Sequence, residues 1–100
     1  YIIMDARTEL MVIMMEECGE LIQACSKALR KDDFYDNQNL IEEVGDVYTM
    51  IEIMHDFDII SWNDIEERVQ EKRVKLSKWS QLLEEWEVEK DQWEIEDNLR

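Results

Sequence analysis

Proline is missing from this 100-residue chain, and glycine occurs only twice. Proline interrupts helices and glycine weakens them, so their scarcity favours long helices and an all-α fold. Long apolar runs are missing as well, because none approaches the roughly 18 residues that a membrane-spanning helix needs. The sequence therefore predicts one small helical domain that does not span a membrane.

Basic residues are few, with 11 lysines and arginines against 26 aspartates and glutamates, and the formal net charge is −15. Such an excess of negative charge repels nucleic acids and anionic membranes, and we expect neither as a partner. A polyanionic substrate is compatible with this surface only if a bound metal ion reverses the local field.

Cysteine is also scarce, with only Cys18 and Cys25 in the chain. Seven residues separate them, which corresponds to about 10 Å along one helix. This distance is too great for a disulfide between the two. Free thiols predict a protein of the reducing cytoplasm, in which both cysteines serve as small apolar packing residues.

The periodicity of apolar residues predicts three helices. The first spans residues 4–30, and the second begins at 37–39 and ends at 55–56. The third begins after a cap at Ser61 or Asn63, and nothing in the sequence breaks it before the chain ends. We divide the chain into a helical domain, residues 1–83, and an acidic extension, residues 84–100, which contains two tryptophans. The extension either continues the third helix or packs on a partner, or it frays.

The first two helices each carry an apolar stripe with positions three or four apart. The stripe of the first helix consists of Leu10, Met14, Leu21, Ala24 and Ala28. The stripe of the second helix consists of Leu40, Val44, Val47, Ile51 and Met54. Carboxylates interrupt or border both stripes, namely Glu17, Glu20, Glu43 and Asp46. Burying unpaired carboxylates is costly, so this placement predicts a bound cation. Oxygen ligands without Cys or His favour Mg²⁺ or Mn²⁺.

As a bare pattern, this spacing of acids is weak, because 26 acidic residues produce about one accidental match. Two features of its context strengthen the pattern. The acids coincide with apolar faces, and the two glycines, Gly19 and Gly45, each fall within one of the acidic motifs. A glycine inside a helix costs about 1 kcal/mol relative to alanine, so we expect each to permit close packing.

The motif Glu16-Glu17-x-x-Glu20, followed after 22 residues by Glu43-x-x-Asp46, resembles the all-α nucleoside triphosphate pyrophosphatases. This superfamily includes MazG proteins, dimeric dUTPases, dCTPases and phosphoribosyl-ATP pyrophosphatases. The resemblance covers roughly residues 5–82, and it is closest to short MazG-like proteins. It implies a Mg²⁺-dependent hydrolase that cleaves a nucleoside triphosphate between its α and β phosphates. Glu17, Glu20, Glu43 and Asp46 would hold the metal. We expect Glu16 and Glu17 to act in catalysis, with Glu16 either orienting or deprotonating the attacking water or completing the metal shell.

Five basic residues lie within eleven positions of the third helix and form what we call the basic segment: Arg68, Lys72, Arg73, Lys75 and Lys78. One interpretation is a set of helix salt bridges to the glutamates of the same helix. The other is a clamp for the triphosphate, because phosphate oxygens need cations besides the metal. Late-helix lysines and arginines commonly contact phosphates in the resembled family. We favour the clamp, with Lys72 and Lys75 ahead of Arg73.

Two other functions compete with the hydrolase. A non-enzymatic acidic protein that binds a partner or mimics nucleic-acid charge would explain the net charge directly. Glu52-x-x-His55 also matches half of a di-iron motif, although a role for His55 at the helix end is simpler. For Tyr48, Trp62 and Trp79 we expect core positions rather than base stacking.

Three helices of this size cannot easily bury all of their apolar faces. A second copy would complete a four-helix core, and the family resemblance agrees with a homodimer or homotetramer.

Overall fold

The computed structural model of the chain describes residues 4–83. These residues form three helices, α1 (Ala6–Lys31), α2 (Gln38–Asp56) and α3 (Trp62–Trp79), and contain no strand. The predicted all-α class is therefore confirmed, and the boundaries of α1 and α2 lie within two residues of those predicted. The predictions for residues 84–100 lie outside the described residues.

Side-chain caps fix the ends of α1 and α2. Asp5 accepts a hydrogen bond from the backbone N–H of Thr8 at 2.8 Å, and this bond lowers the pKa of Asp5. At the other end of α1, Asp32 adopts a left-handed conformation with φ 51°. After a short turn, Asn37 accepts a hydrogen bond from the N–H of Leu40 at 3.1 Å and caps α2. These features reverse the chain within six residues, so that α1 and α2 pack as antiparallel neighbours.

Leu10, Ala24 and Ala28 of the predicted α1 stripe are buried. On α2 the prediction was partly wrong, because Val44 is 50% exposed and the buried residue is Met50. The inner face of α2 is thus rotated toward Asp46, which lies one helical turn before Met50. This rotation directs acidic side chains toward the contact between α1 and α2.

The chain divides into two compact units, one ending at Ser61 and one beginning at Trp62. Within the second unit, α3 has no fully buried residue. The expectation that nothing breaks this helix was wrong, because it ends at Trp79. The hydroxyl of Ser80 accepts a hydrogen bond from the N–H of Leu82 at 3.2 Å. Such a local side-chain bond competes with continuation of the helix.

None of the three described helices has the combination of length and apolar character that a membrane-crossing segment requires.

Candidate active site

Four carboxylates converge where α1 and α2 pack together. The i, i+3 spacing places two of them on the inner side of each helix, and the short turn brings the two pairs opposite each other. Each residue offers one oxygen, and these four oxygens all lie within 4.8 Å of one another. The members of this carboxylate cluster are Glu17, Glu20, Glu43 and Asp46. The structure therefore brings together all four residues that the sequence proposed as metal ligands.

Burial divides the carboxylate cluster into an inner and an outer half. Glu17 and Glu43 are half-buried, whereas Glu20 and Asp46 are exposed. One oxygen of each inner residue, Oε2, is shielded from solvent and has no hydrogen-bond partner among the described residues. Shielded carboxylate oxygens without partners are rare in folded proteins, and a cation could bind these two.

The electrostatics of the carboxylate cluster disfavour full ionisation. Burial raises the pKa of Glu17, and the charges of Glu20 and Asp46 raise it further. Burial also raises the pKa of Glu43. A hydrogen bond to the Glu20 side chain and the charge of Glu20 raise this pKa further. A divalent cation would reverse both effects by neutralising the repulsion and bonding to the shielded oxygens. The all-oxygen donor set fits a hard cation such as Mg²⁺ or Mn²⁺.

Glu16 lies beside the carboxylate cluster in the sequence but is not a member of it. Its side chain is exposed on α1. A position next to the cluster, and open to solvent, is compatible with the predicted contact to a water molecule.

The two glycines have a different environment from the one that the sequence predicted. A Cβ atom built on Gly19 or on Gly45 would meet nothing within 4 Å, and neither residue has a positive φ. Packing within the chain therefore does not require glycine at either position, and the prediction of close packing was wrong for the single chain. The space beside both glycines is open.

The basic segment lies on α3. Arg68 forms an ion pair with Glu71 at 3.2 Å, as the salt-bridge interpretation predicts. Lys72 and Lys75 are exposed, and Arg73 is half-buried and has interactions of its own. The salt-bridge interpretation thus applies to Arg68, while the phosphate clamp formed by the other residues stays a prediction.

The remaining candidates lie outside the carboxylate cluster. The side chains of Tyr48 and Trp79 are 55% and 70% exposed, so the expectation of core positions was wrong for both, and Trp62 is half-buried. His55 occupies the last turn of α2, with its Nδ1 3.9 Å from a carboxylate oxygen of Asp56. This placement agrees with the helix-end role rather than with a di-iron ligand.

The fold and the carboxylate cluster together define an all-α protein with a candidate centre for a divalent metal ion. The family model of the MazG nucleotide pyrophosphohydrolase domain matches residues 6–79, which is most of the chain. The chain therefore belongs to this family, and it is a nucleoside triphosphate pyrophosphohydrolase, a hydrolase of phosphoric anhydrides. The interpretation as a non-enzymatic acidic protein is set aside by this match. Searches of curated proteins and of solved structures gave no match.

Proposed function

We propose that this protein is a Mg²⁺-dependent enzyme that converts nucleoside or deoxynucleoside triphosphates to monophosphates and pyrophosphate. Mn²⁺ is the alternative metal. The observation that carries the proposal is the carboxylate cluster, whose oxygens lie within 4.8 Å of one another. Its two shielded oxygens, one each on Glu17 and Glu43, have no partner among the described residues. An all-oxygen site of this kind fits a hard divalent cation.

The residues of the carboxylate cluster would hold one to three metal ions. When bound, the metal would lower the pKa of a water molecule and shield the polyphosphate from the acidic surface. Glu17, as the more buried acid of its pair, fixes the inner side of the site. The exposed carboxylate of Glu16 orients the attacking water or accepts its proton.

Three residues of the basic segment, Lys72, Lys75 and Arg73, supply the cations that the triphosphate needs besides the metal. Lys72 and Lys75 are exposed on α3, and Arg73 follows Lys72 directly. Lysine presents a point charge with three donors on a flexible side chain. It can therefore contact the β- and γ-phosphates of nucleotides that bind in different positions. In this proposal these residues bind the substrate and do not take part in metal binding.

The protein acts as a homodimer or homotetramer in the cytoplasm. Both of its cysteines are free thiols, which supports a reducing environment. A second copy would complete a four-helix core around the paired helices α1 and α2.

Hydrolysis in ¹⁸O-labelled water tests the reaction. Attack of water on the α-phosphorus places the label in the nucleoside monophosphate, and the second product is unlabelled pyrophosphate. Label in free orthophosphate would mean attack at the terminal phosphorus and would overturn the proposal.

Two further arms of this experiment test the metal. EDTA should abolish the reaction, and Glu43→Gln should lower turnover by at least 100-fold, because metal binding and charge stabilisation are lost together. Glu52→Gln removes an equal charge from an exposed position on α2 outside the carboxylate cluster, and it should leave turnover near that of the wild type. Activity that persists in EDTA would remove the metal from the mechanism.

A further inference from the structure

The turn between α1 and α2 contains a recess of about 270 Å³, which we call the turn recess. It is lined by residues of α1, of the turn and of α2, namely Lys27, Lys31, Asp33, Asn37 and Asn39. Pockets for whole small molecules usually measure about 300 Å³ or more, so the turn recess lies at the small end of that range. Its size and polar lining suit one polar group of a ligand, such as a phosphate, rather than a whole nucleotide.

The turn recess has an excess of positive charge in a chain of net charge −15. Lys27 and Lys31 are the two lysines of the compact unit that ends at Ser61. Among residues 4–83, no ion pair or hydrogen bond engages the ammonium group of either lysine. Asp33 is the one acid among the lining residues, so two ammonium groups stand against one carboxylate. This excess of cations at one recess favours an anionic ligand.

Hydrogen bonds of Asn37 hold the turn beside the recess in place. Its Nδ2 donates to the backbone carbonyl of Asp33 at 2.7 Å, and its Oδ1 accepts from the N–H of Leu40 at 3.1 Å. Asn39, in contrast, forms no hydrogen bond with its side chain among the described residues. Its amide and the two lysines are therefore available as donors to an anion in the recess.

The turn recess lies in line with the outer half of the carboxylate cluster. Seven residues separate Glu20 from Lys27 on α1, and seven separate Asn39 from Asp46 on α2. Residues seven apart share a helix face, so the recess follows the two exposed acids on the same side of the helix pair, about 10 Å closer to the turn. Side chains on a helix lean toward its N-terminus, which for α1 is the direction of the carboxylate cluster. The ammonium groups of Lys27 and Lys31 can therefore contact a ligand that extends from the cluster toward the turn.

We propose that the turn recess binds the terminal phosphate of a nucleoside triphosphate whose other phosphates bind at the carboxylate cluster. This inference rests on the proposed function, and it names the residues that recognise the far end of the pyrophosphate leaving group. Lys27 and Lys31 neutralise the charge of the terminal phosphate, and the amide of Asn39 donates a hydrogen bond to it. The basic segment belongs to the other compact unit, so the turn recess adds cations within the unit that contains the carboxylate cluster.

Binding of inorganic pyrophosphate tests the turn recess without any need for catalysis. In isothermal titration calorimetry with millimolar Mg²⁺, Lys27→Gln and Lys31→Gln should each raise the Kd by about tenfold, because each loses a charge-assisted contact. Arg30→Gln is the matched control, since it removes an equal charge from the last turn of α1 but Arg30 does not line the recess. The control should change the Kd by about twofold or less, because its charge is exposed and screened.

Asp33→Asn should act in the opposite direction. It removes the one acidic side chain that lines the turn recess, and it keeps the backbone carbonyl that accepts the hydrogen bond from Asn37. Loss of this repulsion should lower the Kd for pyrophosphate by about threefold, the effect of one partly screened charge. A purely structural role of the turn would predict weaker binding or no change, so tighter binding separates charge from structure.

Steady-state inhibition identifies the ligand to which the turn recess belongs. Pyrophosphate should compete with the nucleoside triphosphate, and Lys27→Gln should raise KM more than it lowers kcat, because the terminal phosphate is not a reacting group. Noncompetitive inhibition would mean a separate anion site and would overturn the assignment to the substrate.

The binding data decide the recess itself. A Kd for pyrophosphate that is unchanged in both lysine variants, or that rises equally in Arg30→Gln, would overturn the proposal. If pyrophosphate binds through the two lysines but the wild type hydrolyses no triphosphate, the proposed reaction fails and the turn recess stands as an anion site.

Discussion

The two faces of α1 contrast sharply, because a carboxylate lies within the apolar inner face and large apolar side chains are exposed on the outer face. The inner face, which packs on α2, contains the half-buried carboxylate of Glu17 with a shielded oxygen that has no partner among the described residues. The outer face exposes a row of large apolar and thiol side chains, namely Met11, Met15, Cys18, Ile22, Cys25 and Leu29. The expected packing role of the two cysteines is therefore wrong for the single chain. In an ordinary amphipathic helix the apolar side faces the core and the charged side faces water. Glu17 departs from this pattern on the inner face, and the exposed apolar side chains depart from it on the outer face. Both departures are expected if a cation binds on the inside and, in the proposed homo-oligomer, a second copy packs on the outside.

Metal-linked stability is the largest expected difference between the two faces. Mg²⁺ that binds only the folded state stabilises it by about 2.7 kcal/mol at one hundred times its dissociation constant. At millimolar Mg²⁺ or Mn²⁺ the Tm should therefore rise by several degrees. Glu17→Gln should lose most of this rise, and it should also raise the Tm of the metal-free protein by relieving repulsion.

An outer-face variant is the matched control for this measurement. Met15→Gln alters an exposed side chain on the outer face, so any change in the Tm itself should leave the full metal-linked rise intact. Differential scanning fluorimetry with Mg²⁺ or EDTA measures both quantities. If neither metal changes the Tm of the wild type, the inner face is not a metal site.

A smaller effect is expected from the basic segment of α3, which lies outside both faces. Lys72→Ala and Lys75→Ala should each lower kcat/KM by about tenfold, since loss of a phosphate contact costs on the order of 1.4 kcal/mol. Both variants should keep the metal-linked rise in Tm. Steady-state kinetics on a nucleoside triphosphate measure the loss, and Arg68→Ala is the control, because Arg68 is already paired with Glu71. If both lysine variants have wild-type kinetics, these lysines do not bind the substrate, and only the salt-bridge interpretation of the basic segment remains.

Much of the inner face could be predicted from the sequence because its signals are local. The i, i+3 spacing of acids within an apolar stripe fixes which side of a helix they occupy, and caps such as Asp5 and Asn37 mark where the helices begin. With only six residues between α1 and α2, the two pairs of acids had to meet. The class of fold, the boundaries of both helices and the membership of the carboxylate cluster all follow from these local rules.

The remaining features depend on packing, which periodicity alone does not determine. Val44 and Met50 both lie on a helical stripe, and only the rotation of α2 against α1 decides that Met50 is buried. The end of α3 at Trp79 is followed by a local hydrogen bond from the N–H of Leu82 to the Ser80 hydroxyl, which periodicity does not predict. The exposure of Met15, Ile22 and Leu29 likewise needs the structure, because spacing alone does not distinguish an exposed apolar row from a second core face.

The dependence of stability on pH is the smallest expected effect, and it distinguishes the two faces because only the inner face contains carboxylates with a raised pKa. The pKa values of Glu17 and Glu43 are raised in the folded protein, chiefly by burial and then by contact with the other members of the carboxylate cluster. The folded state therefore binds more protons than the unfolded state between the ordinary glutamate pKa, about 4.3, and the raised values. The stabilisation of the folded state by these extra protons is fully present below that pH window, and it is lost as the pH rises through the window.

In EDTA the Tm should accordingly fall as the pH rises through this window, and Glu17→Gln should flatten the slope. Glu52→Gln removes an equal charge from an exposed site on α2, so it corrects for the general repulsion of an acidic chain. Met15→Gln, on the outer face, should shift the Tm without changing its slope. With saturating Mg²⁺ the sign should reverse, because metal binding requires ionised carboxylates and releases protons. Equal slopes for the wild type, Glu17→Gln and Glu52→Gln would mean that the inner carboxylates titrate like those of the surface.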